Sequence, residues 1–482
     1  MTPPASETLP DGFAVRLSPR TKVRDGGRCL VGGTAGRVVF LAPAAVERLA
    51  EPTGLVVRDQ TSRRLARLLL DRGLADPCWP AWARTPAEED EAVGDVTVVV
   101  PVLDRPDALA RLLGALPREI PVVVVDDGSR DPASIGRVAA AAGADVVRHE
   151  RNAGPAAARN SGLARVTTPY VAFVDSDVVP EPGWLSVLRR HLADPATGLV
   201  APRVHGVTSG ADAGWLTRYE EVRSSLDLGH DPAAVRILGT VAYVPSACVL
   251  ARVDALGEGF ATSMRSGEDV DLVWRLLGAG WRVRYEPGAA VRHDHRTTVR
   301  AWLGRKAFYG SSAGRLAERH GDAVAPMVLS AWTAVLTGAV LAQRRWSVPV
   351  ALGSWGVATV GLSRRLERAD SPLRTAARLT LEGAAAAHGQ AASALCRHYW
   401  PVSVVVSAFS VRARRALLVA AVVDAALDHH HRRPRLDPAR YLVARRLDDA
   451  AYGAGLWGGV MSRVARGRSW GALRALAPQW RS

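Results

Sequence analysis

The carboxylates most able to do chemistry in this chain come directly after apolar runs of strand length. Asp175 and Asp177 follow the run Tyr170–Val174, with one residue between them. Two carboxylates at this spacing can hold a hard divalent cation, which can also bind a diphosphate leaving group. A surface turn with solvated aspartates would explain the same pattern in isolation. Because other motifs accompany the pair, we expect Asp175 and Asp177 to bind a metal.

Two further motifs could bind a nucleotide. In the run 126–129, Asp-Asp-Gly-Ser, a carboxylate could accept hydrogen bonds from a uracil N–H or a ribose hydroxyl. The same residue types are common where a strand enters an ordinary turn. Residues 152–158 are rich in Gly and Ala, so their backbone could approach a nucleotide that Arg159 contacts. The alternative is a plain helix start with a surface arginine.

The remaining candidates are a carboxylate pair and a histidine. Glu268 and Asp269 begin a helical pattern, where capping alone would favour an acidic residue. The functional hypothesis makes Asp269 a general base for an acceptor hydroxyl, with Glu268 as the second choice. His293 follows another strand-like run and could complete the metal shell as a neutral imidazole. The alternative is that His293 has only a structural role. His295, two residues later, makes the assignment of the metal-binding histidine ambiguous.

These residues need a scaffold, and residues 95–300 have the pattern of one. Apolar runs at 96–100, 122–125 and 170–174 alternate with helical patterns at 107–116 and 133–142. Strands that alternate with helices indicate a parallel sheet that is buried on both faces. Ligands bind at the carboxyl ends of such strands, where the polar motifs fall. The fold class is therefore α/β, with a Rossmann-like, mostly parallel sheet.

The flanking regions differ in composition. Residues 1–90 read as a small α+β module, in which Ser62 caps a helix that stops at Gly73, plus an acidic linker at 88–91. The catalytic domain then takes 91–322, and 323–482 read as a helical, apolar and basic region. In that region 323–343 and 346–363 carry no charge except at their arginine borders and have the length of membrane spans. Their Ala, Gly, Ser and Thr content also fits buried helices, but the flanking arginines and the basic surface favour association with a membrane.

Charge and cysteine content limit the partners and the compartment. The 482-residue chain has a net charge of +15, and because only two residues are lysines this excess is almost all arginine. Such charge suits phosphate-bearing substrates or an anionic membrane surface, while no nucleic-acid-binding motif accompanies it. Four scattered cysteines and an N-terminus without an apolar signal region favour a reducing compartment. We therefore expect a cytoplasmic protein, or one at the cytoplasmic face of the cell membrane.

Together the motifs resemble those of family 2 glycosyltransferases, which are inverting enzymes with a GT-A fold. The resemblance covers residues 95–300 and includes the family's first-strand signature at 98–104. It implies direct displacement with inversion, using a UDP-sugar and Mg²⁺ or Mn²⁺. It places one set of residues against the donor, Pro101, Asp104, Asp127, Arg159 and Asp175. It places Asp175, Asp177 and His293 on the metal, and Asp269 with Glu268 at the catalytic base.

A narrower resemblance concerns residues 9–13, 31–33, 41–43 and 267–275, which are similar to the mycofactocin-biosynthesis glycosyltransferases of actinobacteria. It implies the addition of β-1,4-linked glucose units from UDP-glucose to pre-mycofactocin, a peptide-derived precursor of a redox cofactor. In that family residues 13–76 correspond to a PqqD-like peptide-binding module, which is truncated here. The acceptor would then be a peptide-derived small molecule.

Two other hypotheses remain open at the level of sequence. The chain could be a cell-wall polysaccharide or polyisoprenyl-phosphate glycosyltransferase, which would need its apolar segments to lie in a membrane. It could also be a non-catalytic adaptor that binds a peptide or a glycan through residues 13–76. Retention of Asp175, Asp177, Asp269 and His293 together favours an enzyme.

Overall fold

The computed structural model describes residues 1, 4, 6–32, 37–51, 54–79, 94–206, 213–293, 298–467 and 470–481. The acidic linker at 88–91 and His295 lie outside this part of the chain. The chain divides into two compact units, residues 1–208 with 223–295 and residues 209–222 with 296–482. The division into 1–90, 91–322 and 323–482 stays a prediction from composition.

The described residues of the N-terminal part of the first unit form two small antiparallel sheets and two helices. The elements are β1 (Ala14–Leu17), β2 (Thr21–Arg24), a 3-10 turn (Asp25–Gly27), β3 (Cys29–Gly32), β4 (Arg37–Phe40), α1 (Pro43–Leu49), β5 (Leu55–Val56), α2 (Gln60–Arg72) and β6 (Ala75–Cys78). The two sheets have the strand orders β5-β1-β6 and β2-β3-β4. A buried cluster that includes Val15, Leu30 and Leu69 forms their core.

Helix α2 begins with a capping box. The carboxylate of Asp59 accepts a hydrogen bond from the Ser62 backbone N–H at 2.7 Å, and the Ser62 hydroxyl accepts one from the Asp59 N–H at 3.0 Å. The prediction that Ser62 itself caps the helix is therefore wrong, because Asp59 occupies the cap three residues earlier. Gly73 ends the helix as predicted, with a φ of +66° that favours glycine.

The larger part of the first unit is one nine-stranded sheet. The strands are β7 (Val96–Val102), β8 (Val122–Asp126), β9 (Asp145–Arg148), β10 (Tyr170–Val174), β11 (Val178–Pro180), β12 (Thr197–Gly206), β13 (Ala233–Ala234), β14 (Cys248–Arg252) and β15 (Arg282–His293). Their order in the sheet is β11-β15-β12-β14-β10-β7-β8-β9, and β13 pairs with β15.

The direction of the strands changes in the middle of this sheet. Strands β10, β7, β8 and β9 are parallel, as the alternating sequence pattern predicts. Strand β14 runs antiparallel to both β10 and β12, so the sheet is mixed beyond this point. The predicted α/β class is confirmed, and the parallel character belongs to the half that carries β7, β8 and β10.

Helices cover the faces of this sheet. The described helices of this part are α3 (Pro106–Gly114), α4 (Pro132–Ala141), α5 (Pro155–Leu163), α6 (Trp184–His191), α8 (Val253–Leu256) and α9 (Glu268–Gly278), whereas α7 (Trp215–Arg223) belongs to the second unit up to residue 222. Prolines at the first turn start α3, α4 and α5, where a missing backbone N–H costs no helical hydrogen bond. The predicted helices at 107–116 and 133–142 are thereby confirmed as α3 and α4.

The second unit is helical. It comprises α10 (Val299–Ser311), α11 (Ala313–His320), a 3-10 turn (Gly321–Val324), β16 (Val328–Ser330), α12 (Ala331–Ala342), α13 (Ser347–Arg365), α14 (Pro372–Arg397), α15 (Trp400–Phe409), α16 (Val411–Arg432), α17 (Pro438–Ala465), a 3-10 turn (Trp470–Leu476) and β17 (Gln479–Arg481). Lys306 of α10 is buried between Glu220 at 3.1 Å and Asp448 at 3.0 Å. Buried charges of this kind are tolerated because each one is paired.

The predicted membrane spans are not borne out. Within the described residues, no helix combines the length and the apolar character that crossing a membrane requires. The segment 323–343 contains β16 and only the 12-residue helix α12. The 19-residue α13 ends in Arg364 and Arg365 and includes glycine and serine. The uncharged length that suggested spans is thus divided among shorter or less apolar elements.

Candidate active site

The carboxyl ends of β7, β8 and β10 lie at one edge of the sheet because these strands are parallel neighbours. Asp175 and Asp177 follow β10, and Asp127 follows β8. The loop after β7 carries Asp104 and Arg105 and leads into α3. The fold therefore brings the predicted motifs to a common edge, which is where parallel sheets bind ligands.

Arg159 of α5 connects two of these motifs. Its side chain is buried, and one Nη atom donates to Asp175 at 2.6 Å while the other donates to Glu268 at 3.2 Å. The guanidinium group also lies 5.2 Å from the centre of the Phe260 ring. Burial alone would lower the pKa of Arg159, but the two carboxylates outweigh burial and raise it. Arg159 therefore stays charged and holds the aspartate motif beside the predicted base motif.

The two aspartates of the motif at 175–177 have different partners. Burial raises the pKa of Asp175, the negative charge of Asp177 raises it further, and Arg159 opposes both effects. Asp177 forms an ion pair with Arg105 and lies 3.6 Å from Nε2 of His293. Strand pairing explains the second contact, because β11 sets Val178 opposite His293 on β15. Asp177 and His293, which are far apart in sequence, are thus brought together.

Asp269 lies at the start of α9, where Gly267 adopts a left-handed conformation with a φ of +80°. One carboxylate oxygen of Asp269 accepts a hydrogen bond from the Val270 N–H at 2.8 Å. Burial raises the pKa of Asp269 to about 7, and the neighbouring charge of Glu268 adds to the shift. A carboxylate with a pKa near neutrality is suited to general-base catalysis at physiological pH.

Asp127 is engaged by the backbone of the 152–154 loop. Its two oxygens accept hydrogen bonds from the N–H groups of Ala153 and Gly154, both at 2.9 Å. The ring of His149 lies 2.7 Å from one of the same oxygens. These contacts fix the start of α5 and hence the position from which Arg159 reaches Asp175.

Two other predicted donor-binding residues lie on or just after β7. Pro101 is half-buried within the strand. Asp104 has a φ of +54° and accepts a hydrogen bond from the Arg130 N–H at 2.8 Å. The Ser129 hydroxyl accepts one from the Asp104 N–H, which joins this loop to the 126–129 motif. The unusual backbone at Asp104 is therefore held by contacts from a second motif.

Sequence reasoning missed Arg105, His149 and Phe260. Arg105 follows the first-strand signature directly, so its place in the sequence was the one available signal for it. His149 and Phe260 lie outside every motif, and their relevance comes from contacts across the fold. Asn160 likewise exchanges two 2.8 Å hydrogen bonds with the backbone of Phe260, which sets that ring beside Arg159.

The three predicted metal ligands are residue types that can bind a divalent cation, and two of them, Asp177 and His293, lie close together. Nε2 of His293 lies 3.6 Å from a carboxylate oxygen of Asp177, whereas Asp175 forms an ion pair with Arg159. Within the described residues, no group of three or more His, Cys, Asp or Glu side chains is arranged to hold a metal ion. Carboxylate oxygens and an imidazole nitrogen are nevertheless donor types that can bind a divalent cation.

Comparison with known proteins decides the family. A model of glycosyl transferase family 2 matches residues 97–260. Over 97% of its length the chain is 45% identical to the pre-mycofactocin glycosyltransferase of Mycobacterium tuberculosis (strain H37Rv) and covers 98% of that protein. The chain belongs to glycosyl transferase family 2. The family predicted from the motifs is thereby confirmed, and membership makes the chain a glycosyltransferase rather than a non-catalytic adaptor.

Other known proteins match part of the chain. It is 30% identical to the succinoglycan biosynthesis protein ExoU of Rhizobium meliloti over 46% of this chain and 70% of that protein. Among solved structures, the mannosyltransferase PcManGT from Pyrobaculum calidifontis, in complex with GDP-Man and Mn²⁺, is 18% identical with a TM-score of 0.36, covering 60% of this chain and 84% of that one. S. aureus TarS 1-349 in complex with UDP is 16% identical with a TM-score of 0.34, covering 63% and 92%. At such identities and scores the structures add nothing about the chemistry of this site.

Proposed function

We propose that this glycosyltransferase moves glucose from UDP-glucose to a hydroxyl group of pre-mycofactocin, with inversion at the anomeric carbon. The observation that carries the proposal is the 45% identity to the M. tuberculosis pre-mycofactocin glycosyltransferase over nearly the full length of both chains. Identity of this extent includes the N-terminal module and the helical unit as well as the catalytic sheet. The acceptor would be a peptide-derived small molecule.

Asp269 is the proposed general base. In a single displacement the acceptor oxygen forms a bond to the anomeric carbon while the bond from that carbon to the diphosphate oxygen breaks. The nucleoside diphosphate leaves with the electron pair of the broken bond, and the acceptor proton passes to the carboxylate of Asp269. A pKa of about 7 supports this role, because the group can accept the proton near neutral pH.

Glu268 and Arg159 position this base. Glu268 adjoins Asp269 and accepts a hydrogen bond from Arg159, which also binds Asp175. The base is thereby fixed relative to the strand end where the diphosphate is proposed to lie. Proximity of this kind lowers the barrier by removing the entropy cost of aligning the reacting groups.

The donor is proposed to lie along the carboxyl edge of β7, β8 and β10. Pro101, Asp104 and Asp127 would line its uridine side, with Arg159 and Asp175 toward the diphosphate. Asp175, Asp177 and His293 would hold Mg²⁺ or Mn²⁺. When bound, this cation would neutralise negative charge on the departing diphosphate.

The test is glucosyl transfer by the purified full-length chain. Pre-mycofactocin is incubated with UDP-glucose, another UDP-sugar or GDP-mannose, in the presence of Mn²⁺, Mg²⁺ or EDTA. The masses of the products are determined by mass spectrometry. We expect a mass increase of one or more hexose units with UDP-glucose only, and its loss in EDTA. Transfer from another donor would contradict the glucose assignment while leaving the base mechanism in place.

A second part of the experiment tests the acceptor assignment separately from the assignment of the donor-binding residues. If UDP-glucose is bound and slowly hydrolysed but pre-mycofactocin gains no hexose, the acceptor assignment is wrong and a polysaccharide or polyisoprenyl-phosphate acceptor takes its place. If calorimetry detects no binding of UDP with Mn²⁺, the assignment of the donor-binding residues is wrong.

A further inference from the structure

Two helix junctions of the second unit meet at an exposed corner. The side-chain Nε2 of Gln343, after α12, donates a hydrogen bond to the carbonyl oxygen of Arg412, at the start of α16, at 2.8 Å. Beside this contact Trp346, Phe409 and Val411 are 47%, 88% and 66% exposed. We name residues 343–346 and 409–415 the arginine–aromatic corner.

The corner is strongly basic. Five arginines, all of them exposed to solvent, follow Gln343 or Val411 in the chain, namely Arg344, Arg345, Arg412, Arg414 and Arg415. Neither segment of the corner contains an acidic residue, and the surrounding stretch 331–423 has eleven arginines against three acidic residues. The corner therefore complements a surface of negative charge.

The apolar side chains of the corner continue onto adjacent helices. Val348 and Leu352 of α13 and Val405 of α15 are each more than half exposed. Exposed apolar side chains that are grouped on neighbouring segments are typical of interaction sites. Single-stranded nucleic acid is bound by stacking on aromatic rings, whereas most of these side chains are branched aliphatic residues that cannot stack. Aliphatic and aromatic residues beside arginines are instead typical of a protein that lies on a lipid interface.

We propose that the arginine–aromatic corner docks this protein on an anionic lipid membrane. Trp346, Phe409 and Val411 insert among the headgroups, and the arginines contact the lipid phosphates. The docking needs no membrane-spanning helix, which agrees with the absence of one among the described helices. The inference goes beyond glycosyl transfer and does not depend on which donor or acceptor the catalytic site binds.

The test measures partition of the full-length chain onto vesicles by flotation. One vesicle is pure phosphatidylcholine, and the other is an equimolar mixture of phosphatidylcholine and phosphatidylglycerol. We expect binding to the mixed vesicles that weakens as salt is raised. Arg344→Gln/Arg345→Gln/Arg415→Gln should lower the partition constant about a hundredfold, because each arginine near an anionic surface contributes about fivefold.

A matched control removes the same charge from the first unit. Arg72, Arg118 and Arg165 are also exposed, so replacing these three by Gln should leave the partition constant within about threefold of the parent chain. Equal losses in the two triple variants would overturn the proposal, since binding would then follow net charge alone. If the first triple variant does not unfold cooperatively, Arg345→Gln and Arg415→Gln alone test the same point at about fivefold each.

Phe409→Ala tests the apolar part of the contact. We expect this substitution to weaken vesicle binding. The decrease should remain at high salt, because salt does not screen apolar insertion. Two results would assign the corner to another partner and overturn the proposal. One is a shift from dimer to monomer in sedimentation, which indicates a second copy of the chain. The other is loss of binding to a labelled RNA with vesicle binding unchanged.

Discussion

The spatial arrangement of the carboxylates in the candidate site depends on the buried guanidinium group of Arg159. Asp175, Glu268 and Asp269 would repel one another at close range if no cation lay between them. Arg159 bonds the first two directly, and its charge opposes the rise in the pKa of both Asp175 and Asp269. The motif containing Arg159 was identified from sequence, but the bond to Glu268 spans more than a hundred positions and follows only from the fold.

The base assignment predicts how Asp269→Asn should behave. Transfer should fall by about two orders of magnitude or more, the usual effect of removing a general base, while UDP binding stays within about twofold. In the parent chain the rate should fall as the pH drops below about 7, because the raised pKa leaves Asp269 protonated there. Steady-state rates across pH and calorimetric titration with UDP check both points.

Glu268→Gln is the companion variant for this prediction. It removes the adjacent negative charge, which helps to raise the pKa of Asp269, so the acid side of the rate profile should move to lower pH. A variant Asp269→Asn that turns over at the parental rate would instead move the base role to Glu268 or Asp271.

Arg105 leads to a second prediction at the scale of one residue. It pairs with Asp177, and its side chain is partly exposed. In Arg105→Ala the carboxylate loses a competing cation, so Mn²⁺ alone should bind up to about fivefold more tightly, the range for a partly exposed ion pair. Electron paramagnetic resonance of free Mn²⁺ measures this in the absence of nucleotide.

Arg130→Ala is the control for Arg105→Ala, because Arg130 lies 3.7 Å from Asp104 and is highly exposed. It should leave the Mn²⁺ affinity unchanged. Weaker Mn²⁺ binding in Arg105→Ala would show that Arg105 supports the metal ligands rather than competing with the metal.

At the scale of elements, strands and helices of the central domain could be predicted from sequence where the pattern is local. The runs at 96–100, 122–125 and 170–174 and the two helical patterns between them correspond to β7, β8, β10, α3 and α4. Strand β14 was not predicted, and its antiparallel place beside β10 depends on pairing across about eighty residues. Such pairing has no periodic signal in the sequence, because it is specified by burial against the completed sheet.

The packing of α10 against α17 also yields a prediction. A Cβ at Gly455 would lie 1.8 Å from the carbonyl oxygen of Ala307, which is backbone and cannot move aside cheaply. Gly455→Ala should therefore lower the free energy of unfolding by about 1–3 kcal/mol, the usual cost of overpacking. Thermal and denaturant unfolding measure the change.

The same helix supplies the control, because a Cβ at Gly458 meets no atom within 4 Å. Gly458→Ala should be neutral or stabilise the protein by about 0.5–1 kcal/mol, since alanine favours the helix. Equal effects of the two substitutions would contradict the close approach of α10 and α17.

Within the first unit, buried ion pairs fix the N-terminal strands and helices to the large sheet. Arg284 of β15 bonds Asp76 of β6, and Arg67 of α2 bonds Asp194 at 2.6 Å. All four side chains are largely shielded from water, so breaking one pair leaves an uncompensated buried charge. These contacts indicate that the module is part of the catalytic unit rather than a loosely tethered adaptor.

This arrangement predicts that Asp76→Ala lowers the free energy of unfolding by about 3–5 kcal/mol, because Arg284 keeps its buried charge. Arg48→Ala, which removes an exposed pair with Asp59, should cost less than about 1 kcal/mol. Chemical denaturation compares the two variants. A small effect of Asp76→Ala with release of the N-terminal segment by mild proteolysis would contradict a fixed module.

The sequence by itself determined the family, the α/β class and the identity of most candidate site residues. It could do so because motif residues are adjacent in the chain and because strand and helix periods are local. Only the tertiary structure decided that Arg159 joins Asp175 to Glu268, that Asp177 meets Arg105 and His293, and that Asp127 fastens the 152–154 loop. It also replaced the expected membrane spans with shorter elements, since uncharged length alone does not distinguish a bilayer helix from a packed one. Those contacts depend on strand order and burial, which only the folded chain specifies.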